Sequence, residues 1–226
     1  MSTPSSLGRV PLFRSLPPEA VAQLDRACAW LRAQAREWVL DYQDEGTDLY
    51  FVVRGHVRAV ITGADRETIL RDINDGEFFG ELAAIDGQPR SAGIVAITDT
   101  VLAAMPAQTF RRAIHAHPDV CDQVLATLVA RVRALANRAN EVSALSVKHR
   151  LYAELLRLAR PAGESPVVSP PPTHAELAGR VNSHREAITR ELNAMERAGL
   201  IERRRGAIVV VDATRLRQEV ANAFAS

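Results

Sequence analysis

The chain has 226 residues, of which 47% are hydrophobic and 24% are charged, values that are ordinary for a folded protein of one or two domains. These values exclude a disordered, fibrous or disulfide-dense chain. The longest apolar runs, 100–107 and 207–211, fall far short of the roughly 20 residues that cross a bilayer. Residues Met1–Gly8 lack the basic flank and apolar stretch of a secretory signal. We therefore expect a cytoplasmic protein without a membrane partner.

The sequence lacks the residue patterns that are typical of metal sites, redox sites and enzyme active sites. Cys28 and Cys121 are far apart, the six histidines lack metal-ligand spacing, and no nucleophile elbow or P-loop is present. Up to residue 145, 15 basic residues face 18 acidic ones, whereas 13 basic residues face 9 acidic ones after it. We therefore expect no enzyme, and the basic carboxyl-terminal third permits a polyanionic partner.

The first predicted elements surround a glycine-rich segment. Pro17 and Pro18 mark the start of a helix predicted over Glu19–Leu31. Seven of the twelve glycines then lie between positions 46 and 93, at a spacing that suits short strands joined by turns. The runs rich in β-branched residues between them are Leu49–Val53, Val57–Ile61, Thr68–Ile73 and Ile94–Ala96. We predict a β-sandwich or roll here.

A long helix is predicted to begin at Pro118 and Asp119. Its apolar residues alternate in steps of four and three, a heptad pattern formed by Cys121, Leu125, Leu128, Val132, Leu135, Ala139 and Val142. The polar positions beside this seam include Arg131, Arg133, Asn137, Arg138 and Glu141. The pattern favours a parallel homodimer, and the alternative is a helix that packs against its own domain.

The carboxyl-terminal part predicts a helix over Leu151–Arg160 and then a loop, because residues 161–172 contain five prolines and a glycine. Thr173–Glu176 and Ser183–Glu186 each have the form of a capping box, so a helix is expected to begin at each. The residues left for the turn between them are Arg180, Val181 and Asn182. After Gly199, two strands, Leu200–Glu202 and Ala207–Val211, surround the basic turn 203–206. The segment predicts a winged helix-turn-helix.

The stretch from Phe78 to Ala92 carries the clearest ligand chemistry. Gly80 allows close approach of a ligand to the backbone, and the first-turn amides of Glu81, Leu82 and Ala83 suit an anion. Arg90 offers a planar guanidinium to the same anion, as suits a phosphate, while the Glu81 carboxylate can accept a hydrogen bond from a sugar hydroxyl. The alternative is a surface turn with an ordinary Glu–Arg ion pair.

With these motifs the chain resembles, almost end to end, the cyclic-AMP receptor protein/FNR family of bacterial transcription regulators. The resemblance implies that Glu81 holds a ribose 2′-hydroxyl, that Arg90 and Ser91, followed by Ala92, hold the cyclic phosphate, and that Arg131 braces Glu81. It implies an α+β chain with a cyclic-nucleotide-binding β-roll (jelly roll) over 1–117, a long dimerisation helix over 118–146 and a winged helix-turn-helix over 147–226. It also implies contact with RNA polymerase near 161–172. The cysteines of the oxygen-sensing branch are absent.

This chain departs from that family at the positions that contact the base of the nucleotide. At the positions of its Thr-Ser pair this chain has Leu135 and Ala136, which cannot hydrogen-bond a base. The next residues, Asn137 and Arg138, can offer an amide or a guanidinium to guanine or adenine. The sequence therefore predicts cyclic AMP or cyclic GMP as the effector. For Leu135, which lies on the predicted seam, the alternative role is packing in the dimer.

The second helix of the predicted helix-turn-helix carries the DNA-reading residues. Arg185, Glu186 and Arg190 lie at about 0°, 100° and 140° around a helix axis and share one face, and their side chains suit guanine and cytosine edges in a major groove. For Glu186, capping with Ser183 is the alternative. The further predicted contacts to DNA are Thr173, Ser183, His184, Arg203, Arg204 and Arg205. The resemblance implies an inverted repeat with TGTGA-like half-sites.

Three rival functions remain for comparison with a ligand-gated regulator. An enzyme is disfavoured by the missing motifs. A module that binds a nucleotide and controls a partner protein is disfavoured by the helix-turn-helix. A ligand-independent regulator with a vestigial nucleotide site can be distinguished from the leading hypothesis only by measurement.

Overall fold

The computed structural model of the chain describes residues 6–63, 67–163 and 165–225. It divides into two units, one up to Arg131 and one from Val132 onward. Within the described ranges, no helix is long and apolar enough to span a bilayer, and no His, Cys, Asp and Glu side chains are grouped to hold a metal ion. Residues 1–5, where the sequence predicts no secretory signal, lie outside the described residues.

The first unit contains two four-stranded antiparallel sheets, with the strand orders β1-β8-β3-β6 and β2-β7-β4-β5. The strands are β1 (Ala29–Ala33), β2 (Trp38–Leu40), β3 (Leu49–Arg54), β4 (Val57–Thr62), β5 (Glu67–Ile73), β6 (Phe78–Phe79), β7 (Gly93–Ala96) and β8 (Thr100–Met105). The helices that accompany them are two short 3-10 turns (Leu7–Arg9 and Pro11–Phe13), α1 (Pro18–Ala27), α2 (Glu81–Asp86), α3 (Ala107–Ala116) and the first part of α4 (Pro118–Ala144). The predicted β-roll is confirmed.

Alternation along β3 explains how the roll is filled. Val52 points into the cluster between the two sheets, with Leu40 and Ile94. Phe51 and Val53 point to the other face, where the helices cover the first sheet. Because successive side chains of a strand point to opposite faces, β3 is buried on both sides and reads as a continuous apolar run.

The long helix α4 begins at Pro118 as predicted, and its two faces differ. Val120 and Val124 are buried in the core of the first unit. The predicted seam lies on another face, and its members Leu125, Val132 and Leu135 are 54%, 64% and 58% exposed. The alternative of packing against its own domain therefore applies to Val120 and Val124, whereas most of the seam is left uncovered in the single chain.

The second unit contains a three-stranded antiparallel sheet, in the order β10-β11-β9, packed with helices. Its elements after α4 are α5 (Val147–Leu158), β9 (Val167–Val168), α6 (His174–Arg180), α7 (Arg185–Arg197), β10 (Ile201–Arg204), β11 (Ala207–Val210) and α8 (Ala213–Phe224). One apolar cluster, which includes Leu155, Leu177 and Leu192, holds α5, α6 and α7 together. This is the predicted winged helix-turn-helix, followed by a further helix.

One prediction in the first unit needs correction, and one strand was not predicted. The helix predicted over Glu19–Leu31 ends at Ala27, and Ala29–Ala33 instead form β1, which pairs with β8 from Ala104 to Thr100. Pairing with a distant strand outweighs the local helical pattern there. Strand β8 itself was noted only as an apolar run.

Three details of the second unit also differ from the prediction. Among the described residues no side chain caps α7, which begins at Arg185 with His184 as its N-cap residue, so the Ser183 capping box is wrong. Ser183 is buried in the turn, where its N–H donates to the Ala178 carbonyl. Arg203 and Arg204 lie in β10, which leaves Arg205 and Gly206 as the wing turn. The predicted loop 161–172 contains the short strand β9.

Candidate functional site

The first candidate site surrounds Gly80, which follows β6 and is the N-cap residue of α2. Its φ of 80° is left-handed, a conformation that glycine adopts without strain. A Cβ at this position would lie 2.6 Å from Nη1 of Arg90 and 2.9 Å from the Asp48 carbonyl oxygen. The absence of a side chain therefore permits the guanidinium to lie against the backbone where α2 begins.

Arg90 is a buried cation, since only 2% of the residue is exposed. Its Nη1 donates to the Gly80 carbonyl at 3.2 Å, and its guanidinium lies 5.6 Å from the Tyr50 ring centroid. Nε is buried and has no hydrogen-bond partner among the described residues. Burial lowers the pKa of the guanidinium, and the Tyr50 and Asp44 side chains oppose that shift. A buried cation with an unused donor is costly unless an anion completes its hydrogen bonds.

Glu81 and Arg131 form the second part of this site. Arg131 Nη1 lies 2.7 Å from Glu81 Oε1, and its Nη2 donates to the Phe78 carbonyl at 2.8 Å. The same guanidinium lies 4.5 Å from the Phe78 ring centroid. Glu81 is therefore oriented by α4, in the arrangement that the resemblance implies. Arg71, which sequence reasoning missed, also donates to the Phe78 carbonyl, at 3.1 Å.

The other predicted nucleotide contacts differ in how exposed they are and in whether other groups already bind them. Ala83 is buried, Ala92 is half-buried, and Leu82 and Ser91 are exposed, so the Ser91 hydroxyl is accessible. On α4 of the second unit, Asn137 is exposed. Arg138 is engaged by other groups, since its Nη2 lies 3.6 Å from the Glu154 carboxylate and donates to the Arg180 carbonyl. The roles of all these residues toward a base or phosphate remain predictions.

The second candidate site is the helix-turn-helix of the second unit. The Thr173 capping box is confirmed, with hydrogen bonds in both directions between Thr173 and Glu176. Asn182 takes the left-handed conformation of the predicted turn, with a φ of 53°. The His174 ring nitrogen lies 2.8 Å from the Thr189 hydroxyl, which joins α6 to α7. These contacts fix the angle between the two helices.

The outer face of α7 presents the predicted DNA-reading residues. Arg185, Glu186 and Arg190 are exposed, as is His184 before them. Because Ser183 does not cap α7, the capping alternative for Glu186 is wrong. Asn193 and Arg197, at about 80° and 120° from Arg185 around the helix axis, share this face. Sequence reasoning missed them, although the same helical periodicity could have found them.

The wing arginines are not equivalent. Arg203 donates to Asn193 Oδ1 at 2.8 Å and is paired with Glu196, which lowers the pKa of that carboxyl through hydrogen bonding. Arg204 lies 2.7 Å from Glu202. Within the described ranges, Arg205 makes no ion pair. Arg205 is therefore the wing cation most available to a phosphate.

Comparison with known families gives one match for each unit. A cyclic nucleotide-binding domain model matches residues 30–117, and a Crp-like helix-turn-helix domain model matches residues 149–219. The cyclic AMP receptor protein of Thermus thermophilus is 32% identical over 212 residues, covering 92% of this chain and 95% of the relative.

Solved structures share the fold. A mutant CooA from Carboxydothermus hydrogenoformans has a TM-score of 0.81 at 16% identity, and covers 97% of both chains. The c-di-GMP responsive global regulator CLP of Xanthomonas campestris has a TM-score of 0.74 at 21% identity, covering 86% of this chain and 99% of that one. At these identities the likeness concerns the fold alone.

Proposed function

The chain belongs to the CRP/FNR family of transcription regulators, and from that premise we propose that it is a homodimeric regulator whose DNA binding is controlled by a 3′,5′-cyclic purine nucleotide. The proposed nucleotide site is the Gly80–Ala92 segment with Arg131. The proposed DNA-reading surface is the outer face of α7 with the wing. A regulator that binds DNA must share a compartment with it, so we propose a cytoplasmic location.

One observation carries the nucleotide proposal. Arg90 is buried beside Gly80, and within residues 6–63, 67–163 and 165–225 its Nε has no hydrogen-bond partner. A cyclic phosphate at the first-turn amides of α2 would supply the missing acceptor. Glu81, fixed by Arg131, would then accept from the ribose hydroxyl. Cyclic AMP and cyclic GMP share these groups.

Calorimetric titration of the purified protein with cyclic AMP, cyclic GMP and cyclic di-GMP tests this site. Saturable binding of either mononucleotide supports it. Binding of cyclic di-GMP alone, or of none of the three at millimolar concentration, would contradict it, and in the latter case a ligand-independent regulator becomes the better description. The ratio between the two mononucleotides tests whether Asn137 and Arg138 select the base.

For DNA we propose an inverted repeat, because a two-fold symmetric dimer presents two copies of α7. The TGTGA-like form of each half-site rests on the family resemblance. Selection from a randomised duplex library, with nucleotide present, tests this proposal. Enrichment of an inverted repeat supports it, and enrichment of no palindrome would oppose it. A contact with RNA polymerase near 161–172 rests on the family resemblance.

We propose that the seam of α4 forms the dimer. Replacing Leu135 by glutamate is expected to raise the dimer dissociation constant by more than about 100-fold, because each dimer would bury two unpaired carboxylates. Light scattering at micromolar concentration measures the mass. Ala130→Glu is the matched control, since Ala130 lies on the opposite side of the heptad and should leave the dimer intact. A monomer mass for the unmodified protein would show that the seam assignment is wrong.

The wing predicts a hierarchy of phosphate contacts. Arg205→Ala is expected to weaken binding to all duplexes similarly and to lower the salt slope by about 1.8 per dimer, which is about 0.9 for each of the two subunits. Arg204→Ala should have a smaller effect, because Arg204 is paired with Glu202 in the free chain. Glu202→Gln should tighten binding by releasing that arginine. Salt titrations of duplex affinity measure all three, and an equal loss for Arg204→Ala and Arg205→Ala would contradict this order.

A further inference from the structure

The second unit contains a buried carboxylate that is surrounded by arginines. Glu154, on α5, is 1% exposed. Three arginines from three helices surround it: Arg138 of α4 at 3.6 Å, Arg180 of α6 at 3.5 Å, and Arg157 of α5 in close contact. Glu154 therefore joins the end of α4 to the first helix of the helix-turn-helix.

The turn of the helix-turn-helix is held by arginines as well. Arg138 donates to the Arg180 carbonyl, which ends α6. Arg150 donates to the Asn182 carbonyl at 3.3 Å, and to the carbonyls of Val142 and Leu145 at 3.1 Å each. The backbone between α6 and α7 is therefore tied directly to α4 by Arg138, and through Arg150 to the end of α4.

Such a cluster is a poor source of stability. Removing charges from water costs about as much as their attraction returns, so well-packed apolar residues would serve at least as well for stability. A buried ionic network instead fixes one relative position of the elements that it joins. Here those elements are α4 and the turn that precedes α7. Arg131, seven residues before Arg138 on the same helix, orients Glu81 in the candidate nucleotide site.

We propose that Glu154 is a positioning residue, which couples α4 to the helix-turn-helix through Arg138 and Arg180 and so transmits the nucleotide signal to α7. The inference rests on the proposed function. In this account a change in α4 alters the Arg138 contacts to Glu154 and to the Arg180 carbonyl. The turn before α7 then takes a different position, and the affinity for DNA changes with it.

The test compares DNA affinity with and without saturating nucleotide, cyclic AMP or cyclic GMP, for the full chain and its variants. Glu154→Gln keeps the size of the side chain and removes its charge. Allosteric couplings are typically about 5- to 150-fold, and we expect the variant to reduce the ratio of the two affinities to within about 3-fold of unity while the nucleotide still binds by calorimetry. Glu219→Gln is the matched control, because Glu219 is paired with Lys148 at 3.0 Å and joins α8 to α5. It should keep the ratio.

Arg138→Met provides a second variant, which removes the α4 branch and leaves Glu154 with Arg157 and Arg180. Loss of the ratio with both nucleotides, while calorimetry shows that both still bind, supports the proposal even where Glu154→Gln does not fold. Loss of the ratio because neither nucleotide binds would overturn it. An unchanged ratio in Arg138→Met, or in a folded Glu154→Gln protein, would overturn it. A retained ratio with a loss of affinity for one nucleotide base would make Arg138 a base contact instead. An unmodified protein whose DNA affinity ignores nucleotide would refute the proposed function itself.

Discussion

Replacing Arg90 by alanine is expected to cost about 2 to 5 kcal/mol of cyclic nucleotide binding, the usual loss when one partner of a buried charge-assisted pair is removed. Arg90 is 2% exposed, and among the residues that the structure describes its Nε has no hydrogen-bond partner. A phosphate that completes its hydrogen bonds would lose them all in the variant. Calorimetric titration with cyclic AMP and cyclic GMP measures the loss.

The thermal stability of a second variant at this position, Arg90→Met, separates ligand binding from folding. A buried, incompletely bonded cation destabilises the empty protein, so Arg90→Met should melt no lower than the unmodified chain in the absence of nucleotide. Arg58→Ala is the control for nucleotide affinity, because Arg58 is paired with Asp72 at 2.7 Å on the neighbouring strand. Full nucleotide affinity in a folded Arg90→Ala protein would contradict the assignment of the phosphate site.

Replacing Arg185 by alanine is expected to cost roughly 1 to 3 kcal/mol on the preferred DNA site while sparing non-specific duplexes. Arg185 is exposed at the first position of α7, where a bidentate contact to guanine carries sequence information and little general affinity. Competition between the preferred duplex and a scrambled one measures the difference. Arg217→Ala, which removes an exposed arginine from α8, controls for net charge. An unchanged site preference in Arg185→Ala would remove this residue from the reading surface.

Local signals predicted much of the molecule. The glycine spacing predicted the roll, because turns need residues that tolerate unusual backbone angles. The capping box at Thr173 and the left-handed residue Asn182 located the helix-turn-helix, because both are properties of a few neighbouring residues. The start of α4 at Pro118 was predicted for the same reason.

Features that depend on distant partners could not be predicted in this way. Ala29–Leu31 were assigned to a helix, because the pairing of Ala29–Ala33 with Thr100–Ala104 leaves no local mark in the sequence. The cluster around Glu154 is invisible in the sequence, since Arg138 and Arg180 are far from it along the chain. The pairing of Arg203 with Glu196 likewise joins two elements.

The central claim is that nucleotide bound in the roll controls DNA binding by α7. The most direct measurement is the affinity of the unmodified protein for a labelled duplex, selected from the library, as a function of nucleotide concentration. We expect the duplex affinity to change by about 5- to 150-fold, with a midpoint that matches the calorimetric dissociation constant. An affinity that stays constant from zero to saturating cyclic AMP and cyclic GMP would contradict it.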